Sequence, residues 1–372
     1  MRFNLVINME RMTPDTDMRE VARHTTKMVQ MADEGGFDIV WAAEHHAIEM
    51  TIAPGPFQLL AHLAAHTERI RLGIAVAVAP YWHPIKLAGE VGMIDLLSDG
   101  RFELGIGKGA YQREFDRMAS GLHQNLGVPM MQEMLPVLKR LWQGDYEHDG
   151  EYWSFPAATA CPKPLQKPHP PIWIAARDPG TFDWAVKNGY NIMTWALTRP
   201  FSEVEAYMDR FESALADNPG VARPRFMTMR HTGIFETPDD GDVHVQAVIR
   251  QGRQFENLFR QLAPVVNGFS QEVDPKILVN QGEYEPSTLL RNLIFGTPEE
   301  AVDKLKHYEA LGVDYFCYCA SYGLPMPAQK KSLRLFLHHV IPAFQLLPAQ
   351  PAPARLPVHQ SPQAHPPPPH ST

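Results

Sequence analysis

The stretch Ile70 to Val78 restricts the possible folds more than any other part of this chain: it is apolar and β-branched, with little alternation. A strand with one face in water alternates apolar and polar residues. One that does not alternate is buried on both faces, as in a parallel sheet covered by helices. Further strands are expected at Phe3 to Ile7, Phe37 to Trp41, Arg101 to Ile106, Pro171 to Ala176, Ile192 to Trp195, Arg225 to Phe235 and Val313 to Cys319. Between them fall segments with helical spacing: Met18 to Glu34, Gln58 to Thr67, Pro84 to Leu97, Met130 to Trp142, Thr181 to Asn188, Ser202 to Ala216 and Pro298 to Leu311. Gly35-Gly36, Gly189 and Gly312 supply stop signals. Eight strands alternating with helices, without a break in composition, favour one closed (β/α)8 TIM barrel over a doubly wound open sheet.

A length of 372 residues suits such a barrel with insertions, and 44% apolar residues can fill its core. The insertions are expected after the fourth and seventh strands. The first connection runs from Tyr111 to Pro170 and contains a hairpin near Tyr152 to Phe155. The second runs from Thr237 to Ile294 and contains a helix around Val245 to Leu262. Connections this long serve as lids or interfaces, and in a barrel those that follow strands lie at the catalytic face. One barrel domain is therefore expected over 1–347, with a disordered tail over 348–372, where nine of the chain's 34 prolines fall.

A net charge of −8 argues against nucleic-acid binding. Three cysteines cannot build a disulfide framework. The first apolar run is too short for a signal peptide, and no run approaches the roughly 18 apolar residues of a membrane span. A cytoplasmic protein without a membrane anchor is the expectation.

Three clusters could carry chemistry. Trp41-Ala-Ala-Glu44-His45-His46 ends the second strand, where barrel active sites are built. A histidine there can exchange protons near neutral pH, with the adjacent carboxylate fixing its tautomer; the plain alternative is a hydrogen-bonded structural histidine. Leu104 to Tyr111 places glycines after the fourth strand and fits a G-x-G-x-x-A pattern through Gly105, Gly107 and Ala110. No acidic strand end follows about twenty residues on, and Gln112 to Phe115 makes a poor packing helix, so a dinucleotide fingerprint is weak. Arg177-Asp178-Pro-Gly180-Thr181 could hold a phosphate at a helix start, or Asp178 could simply cap that helix. A metal site lacks histidines at the later strand ends, and Cys317 with Cys319 reads as buried core.

Together these segments resemble the bacterial luciferase-like, flavin-dependent monooxygenase family. The resemblance rests on Glu44-His45-His46, Ile70 to Pro80 with His83-Pro84, and Leu97-Ser-Asp-Gly-Arg101 continuing to Tyr111. It extends through Pro170 to Ala175, Gly296 to Ala301 and Val340 to Phe344. It implies that FMN, as FMNH2 from a separate NAD(P)H:flavin reductase, binds at the C-terminal mouth of the barrel. There it would react with O2 to give a C4a-hydroperoxyflavin that oxidises a small organic substrate such as an aldehyde, ketone or terpene. It also implies a homodimer. Position by position, His45 matches the catalytic histidine, with Glu44 beside it. Ala75 and Val76 match the residues beneath the isoalloxazine, often joined by a non-proline cis peptide. Lys108 stands where an arginine commonly meets the FMN phosphate, and Asp178, Gly180 and Thr181 match the loop that holds it. Trp195 matches an aromatic beside the flavin, and Tyr111 and Arg177 complete the cofactor-binding set. The aromatics Trp41, Tyr81, Trp82, Tyr111 and Trp195 are expected to line an apolar mouth. The rival readings are an F420-dependent oxidoreductase on the same fold and a non-catalytic flavin-binding protein.

Overall fold

A computed structural model describes residues 1–277 and 281–344; the expected Pro-rich tail lies outside the described residues. The elements begin β1 (Arg2–Val6), α1 (Met18–Glu34), β2 (Ile39–Ala42), α2 (Pro56–Ala64), β3 (Arg71–Val78), α3 (Pro84–Leu97) and β4 (Phe102–Gly107). There follow α4 (Gln112–Met118), α5 (Gly127–Gln143), β5 (Tyr146–Asp149), β6 (Ser154–Ala158), β7 (Ile172–Ala175), α6 (Pro179–Lys187), β8 (Asn191–Trp195), α7 (Phe201–Asp217) and β9 (Phe226–Ile234). The last are α8 (Gly241–Arg260), β10 (Val265–Val266), β11 (Phe269–Ser270), α9 (Pro286–Asn292), β12 (Ile294–Gly296), α10 (Pro298–Ala310), β13 (Tyr315–Cys319) and α11 (Met326–Leu335).

Strands β1, β2, β3, β4, β7, β8, β9 and β13 pair in parallel in that order, and β13 returns to β1. The barrel is closed, as eight strand–helix repeats predict. The short β12 pairs with Thr232 to Ile234 of β9, beyond the point where pairing with β13 stops at His231. Helix starts follow local chemistry. Asp17 caps α1 through the Arg19 amide, Thr297 and Glu300 form a reciprocal capping box on α10, and proline opens α2, α3, α6, α9 and α10.

The barrel interior is filled rather than hollow. Trp41 and Trp173 meet edge to face at 5.5 Å, among Val6, Met193, Met227, Cys317 and Cys319. Trp41 therefore belongs to the core beneath the mouth and does not line it, because Gly73 on the next strand leaves room for its ring (a Cβ there would lie 2.2 Å from the indole). Both cysteines are buried thiols whose pKa burial pushes up.

The Ser-Asp-Gly-Arg stretch is a structural knot on the far side of the barrel from the mouth. Asp99 and Gly100 take positive φ after α3, and Arg101 turns back to the carbonyls of Ala64, Ile70 and Ser98. The glycines of β4 also serve packing. A Cβ on Gly105 would lie 2.0 Å from the Ile74 carbonyl, and one on Gly107 would lie 2.6 Å from a Val76 methyl.

The two long connections go to different places. The hairpin β5–β6 follows α5, so it departs from the N-terminal face and folds back along that helix, where Glu133 accepts from the Tyr152 and Trp153 amides. The segment after β9 carries α8, which lies across the C-terminal mouth. Its Phe255 and Phe259 pack on Tyr111 beyond β4, and Phe255 also packs on Trp195 at the end of β8. Arg113 donates to the Ala263 carbonyl just past α8, and the Glu49 amide donates to the Gly268 carbonyl.

Candidate active site

Beyond β2 the chain places Glu44, His45 and His46 at the mouth, and two carboxylates organise them. Glu44 is buried and fully engaged. It accepts from the Val78 amide at 2.7 Å and from the Trp82 indole at 2.9 and 3.1 Å, and it pairs with His46 Nε2 at 3.0 Å. Its geometry ties the ends of β2 and β3 together. The partner of His45 is instead Glu114, from the first turn of α4. Both of its oxygens lie 3.2 Å from His45 Nδ1, and it also accepts from the His46 amide at 2.7 Å. The His45 ring rests on Tyr111 with centroids 5.3 Å apart. A carboxylate on Nδ1 fixes the imidazole's orientation and tautomer, leaving Nε2 for proton exchange.

Ala75 and Val76, half-buried at the top of the barrel filling, are joined by a cis peptide at a point where pairing with β4 shifts register. Lys108 is exposed at the end of β4, and Arg177 and Gly180 are exposed after β7. Asp178 caps α6: its oxygens accept from the Thr181 amide at 2.9 Å and from the Thr181 hydroxyl at 2.8 Å. Burial would raise the Asp178 pKa, but the bonds from Thr181 and the charge of Lys108 outweigh it, and the net shift is downward. Asp178 and Thr181 are thus engaged with each other, while Lys108, Arg177 and the Gly180 backbone face solvent.

Under α8 lies a cavity of about 120 Å³, walled by Trp195, His231, Phe255, Phe259 and Tyr284. Gly252 makes it possible, since a Cβ there would meet the Tyr284 ring at 2.1 Å. His231 is only 3% exposed, and burial, reinforced by the charge of Arg230, pushes its pKa down to about 3. It stays neutral at any working pH. A wider hollow of about 510 Å³ lies between Arg11, Gln254 and Phe269, and none of its walls comes from a barrel strand.

The structure therefore seats His45 on Tyr111, brings Tyr111 and Trp195 against the same Phe255 of α8, and sets Ala75 and Val76 at the top of the barrel filling. It places Tyr81 against His46 and Phe115, and Trp82 on Glu44 and Phe57, away from α8. Sequence reasoning missed Glu114 and His231. The acid at the third residue of Gln112 to Phe115 was a signal for Glu114, had that segment been read as a helix. For His231, the signal was an inward position two residues beyond Met229 on a strand of period two.

Comparison with known proteins agrees with the fold. The family model described as luciferase-like monooxygenase matches residues 1–315. The flavin-dependent trigonelline monooxygenase, oxygenase component, of Acinetobacter baylyi is 38% identical over 344 residues, covering 92% of this chain and 96% of that protein. An alkanal monooxygenase alpha chain of Photorhabdus luminescens is 29% identical over 186 residues, 50% of this chain and 51% of that one. Among solved structures, the FMN complex of the oxygenating constituent of 3,6-diketocamphane monooxygenase from Pseudomonas putida superposes with a TM-score of 0.73 at 20% identity, covering 92% and 98% of the two chains. An F420-dependent secondary alcohol dehydrogenase reaches 0.71 at 17% identity, covering 92% and 99%. Both show the shared fold. The chain is a flavin-dependent monooxygenase. The chain belongs to the luciferase-like monooxygenase family.

Proposed function

We propose that this protein uses FMN, delivered reduced by a separate reductase, to activate O2 and transfer one oxygen atom to a small organic substrate held beneath α8. The observation that carries this reading is the pairing of His45 with the buried Glu114 beside Tyr111, under a helix that covers the mouth. A general acid–base group in a covered, largely aromatic site is what oxygen transfer from a flavin requires, because water and stray protons divert the chemistry to peroxide. Bound reduced FMN supplies the electrons that activate O2.

The residues present fit such a group. Ala75 and Val76 offer a half-exposed surface at the top of the barrel filling, with the ring of Trp195 on β8 at the same mouth. Lys108, Arg177 and the Gly180 amide would meet the phosphate, whereas the Asp178 carboxylate opposes it electrostatically and serves the helix. His45, oriented by Glu114, would hold or deliver the proton. The substrate class includes small aldehydes and ketones and, by relation to the Acinetobacter enzyme, trigonelline.

The site also comes with an outward-facing surface suited to a second copy. Helix α3 buries Leu87, Ala88, Val91 and Ile94 yet exposes Met93, Leu96 and Leu97, and a helix apolar on both sides is buried on both sides. A homodimer through this face is expected by light scattering, and a monomeric mass would reject it.

The reading is tested by mixing the protein and anaerobic FMNH2 with aerated buffer. A delay between mixing and the appearance of oxidised flavin, relative to free FMNH2, supports it. Free-solution reoxidation kinetics would reject it, and reduced F420 would then be tried.

A further inference from the structure

Two polar atoms of residues lining the cavity beneath α8 are buried without a hydrogen-bond partner: the indole Nε1 of Trp195 and Nδ1 of His231. They come from the paired strands β8 and β9, and their rings meet edge to face with centroids 5.7 Å apart at 78°. Buried polar groups are nearly always paired, because leaving one unpaired forfeits its hydration without return. Two orphans side by side at one cavity mark a place where a ligand supplies the missing bonds.

The chemistry of the pair narrows that ligand. The indole nitrogen can only donate. The imidazole is neutral, so it adds no ionic attraction, and it carries one N–H of its own. The pair therefore suits an oxygen acceptor and does not select for a formal charge. Three rings, Phe255, Phe259 and Tyr284, form one part of the remaining wall, and the polar Thr198, Arg199, Gln251, Glu256 and Glu283 form another. Size narrows it further: the cavity measures about 120 Å³. A cavity of ~150 Å³ lined by apolar side chains takes up benzene, so this space suits one six-membered ring and is far too small for the three fused rings of a flavin.

We propose that Trp195 and His231 form the specificity-determining clamp for the substrate, gripping the oxygen of a carbonyl, carboxamide or carboxylate group borne on a single aromatic ring. The ring lies against Phe255, Phe259 and Tyr284. The clamp rests on the reading of this mouth as the oxygenation site, and it goes beyond it in naming the substrate's recognised group.

The test is equilibrium binding to the FMN-loaded protein with three probes of one ring each: benzamide, benzoate and toluene. Benzamide and benzoate are expected to bind about tenfold or more tighter than toluene, because a site built to hydrogen-bond a substrate discriminates against an analogue lacking the group. Trp195→Phe removes the N–H and keeps a ring. It is expected to cost the oxygen-bearing probes about tenfold while leaving toluene within about twofold. His231→Leu should do the same, and His231→Gln, which keeps a donor and an acceptor, should restore most of the loss. Equal affinity for all three probes, absence of benzamide binding, or an unchanged benzamide-to-toluene ratio in Trp195→Phe overturns the clamp. If Trp195→Phe weakens FMN and preserves that ratio, the indole serves the flavin and the clamp is again overturned. The delay in flavin reoxidation is recorded separately. A normal delay with failed discrimination sinks the clamp alone, whereas a missing delay in the unmodified protein sinks the oxygenation reading itself.

Discussion

At His45, two carboxylates divide the work in a way their positions in the chain do not announce. Glu44 is the sequence neighbour, yet its oxygens are taken by the Val78 amide, the Trp82 indole and His46. Glu114 is 69 positions away and holds the histidine itself. Periodicity reports which face of an element is buried, and it carries no information about which distant side chains meet across a barrel mouth. The site was legible as a histidine at a strand end, and its partner was not. Glu114→Gln keeps the shape but weakens the hold on the His45 tautomer. It is expected to lower coupled product by about a hundredfold, in the range of general acid–base effects, with FMN affinity within about twofold. Unchanged coupling measured by product against peroxide would reject the role. Glu44→Gln should instead lower stability, by about 1–3 kcal/mol, through a buried bond left unmade.

The elements themselves were largely readable, because strands buried on both faces and helices with proline or Asp/Thr starts declare their period and their ends. What escaped was direction at the level of connections. The hairpin β5–β6 looked like part of an insertion at the catalytic face, but the intervening α5 carries the chain to the opposite face first. The glycines of β4 carry only a weak dinucleotide pattern, and Gly105 exists because the Ile74 carbonyl occupies the space of a side chain. Gly105→Ala would therefore push β3 from β4 directly beneath Ala75 and Val76. A loss of about 3 kcal/mol is expected in urea unfolding, at the upper end of overpacking costs. Gly180→Ala is the control: its Cβ would lie 3.5 Å from Asp178 Oδ1, and stability should not fall. Equal behaviour of the two variants would show that β3 and β4 adjust freely and that the close approach is not what requires glycine.

Over the whole molecule, buried titratable groups set how stability varies with pH. Burial pushes the Glu10 carboxyl up to about 8, with only the Gly323 amide opposing. Burial lowers His231 to about 3, aided by Arg230, and lowers His244 to about 4. Stability rises with pH wherever the unfolded chain binds more protons than the folded one. Below the ordinary histidine value of 6.5, unfolding lets both imidazoles take up protons that the folded state refuses, so stability falls as pH drops. From the ordinary carboxyl value of 4.5 up to about 8, folded Glu10 keeps a proton that the unfolded chain has lost, so stability falls as pH rises. Two histidines outweigh one carboxyl below 6.5, and above it the carboxyl prevails until pH nears 8, where Lys304, lowered by burial to about 8, begins to oppose it. Denaturant midpoints are thus expected to peak near pH 6.5 and to decline on both sides, with Glu10→Gln abolishing the decline toward pH 8 and leaving the acid side intact. Midpoints that climb steadily to pH 8, or a Glu10→Gln profile that matches the unmodified protein, would show that the carboxyl sheds its proton in the folded state as readily as in the unfolded one.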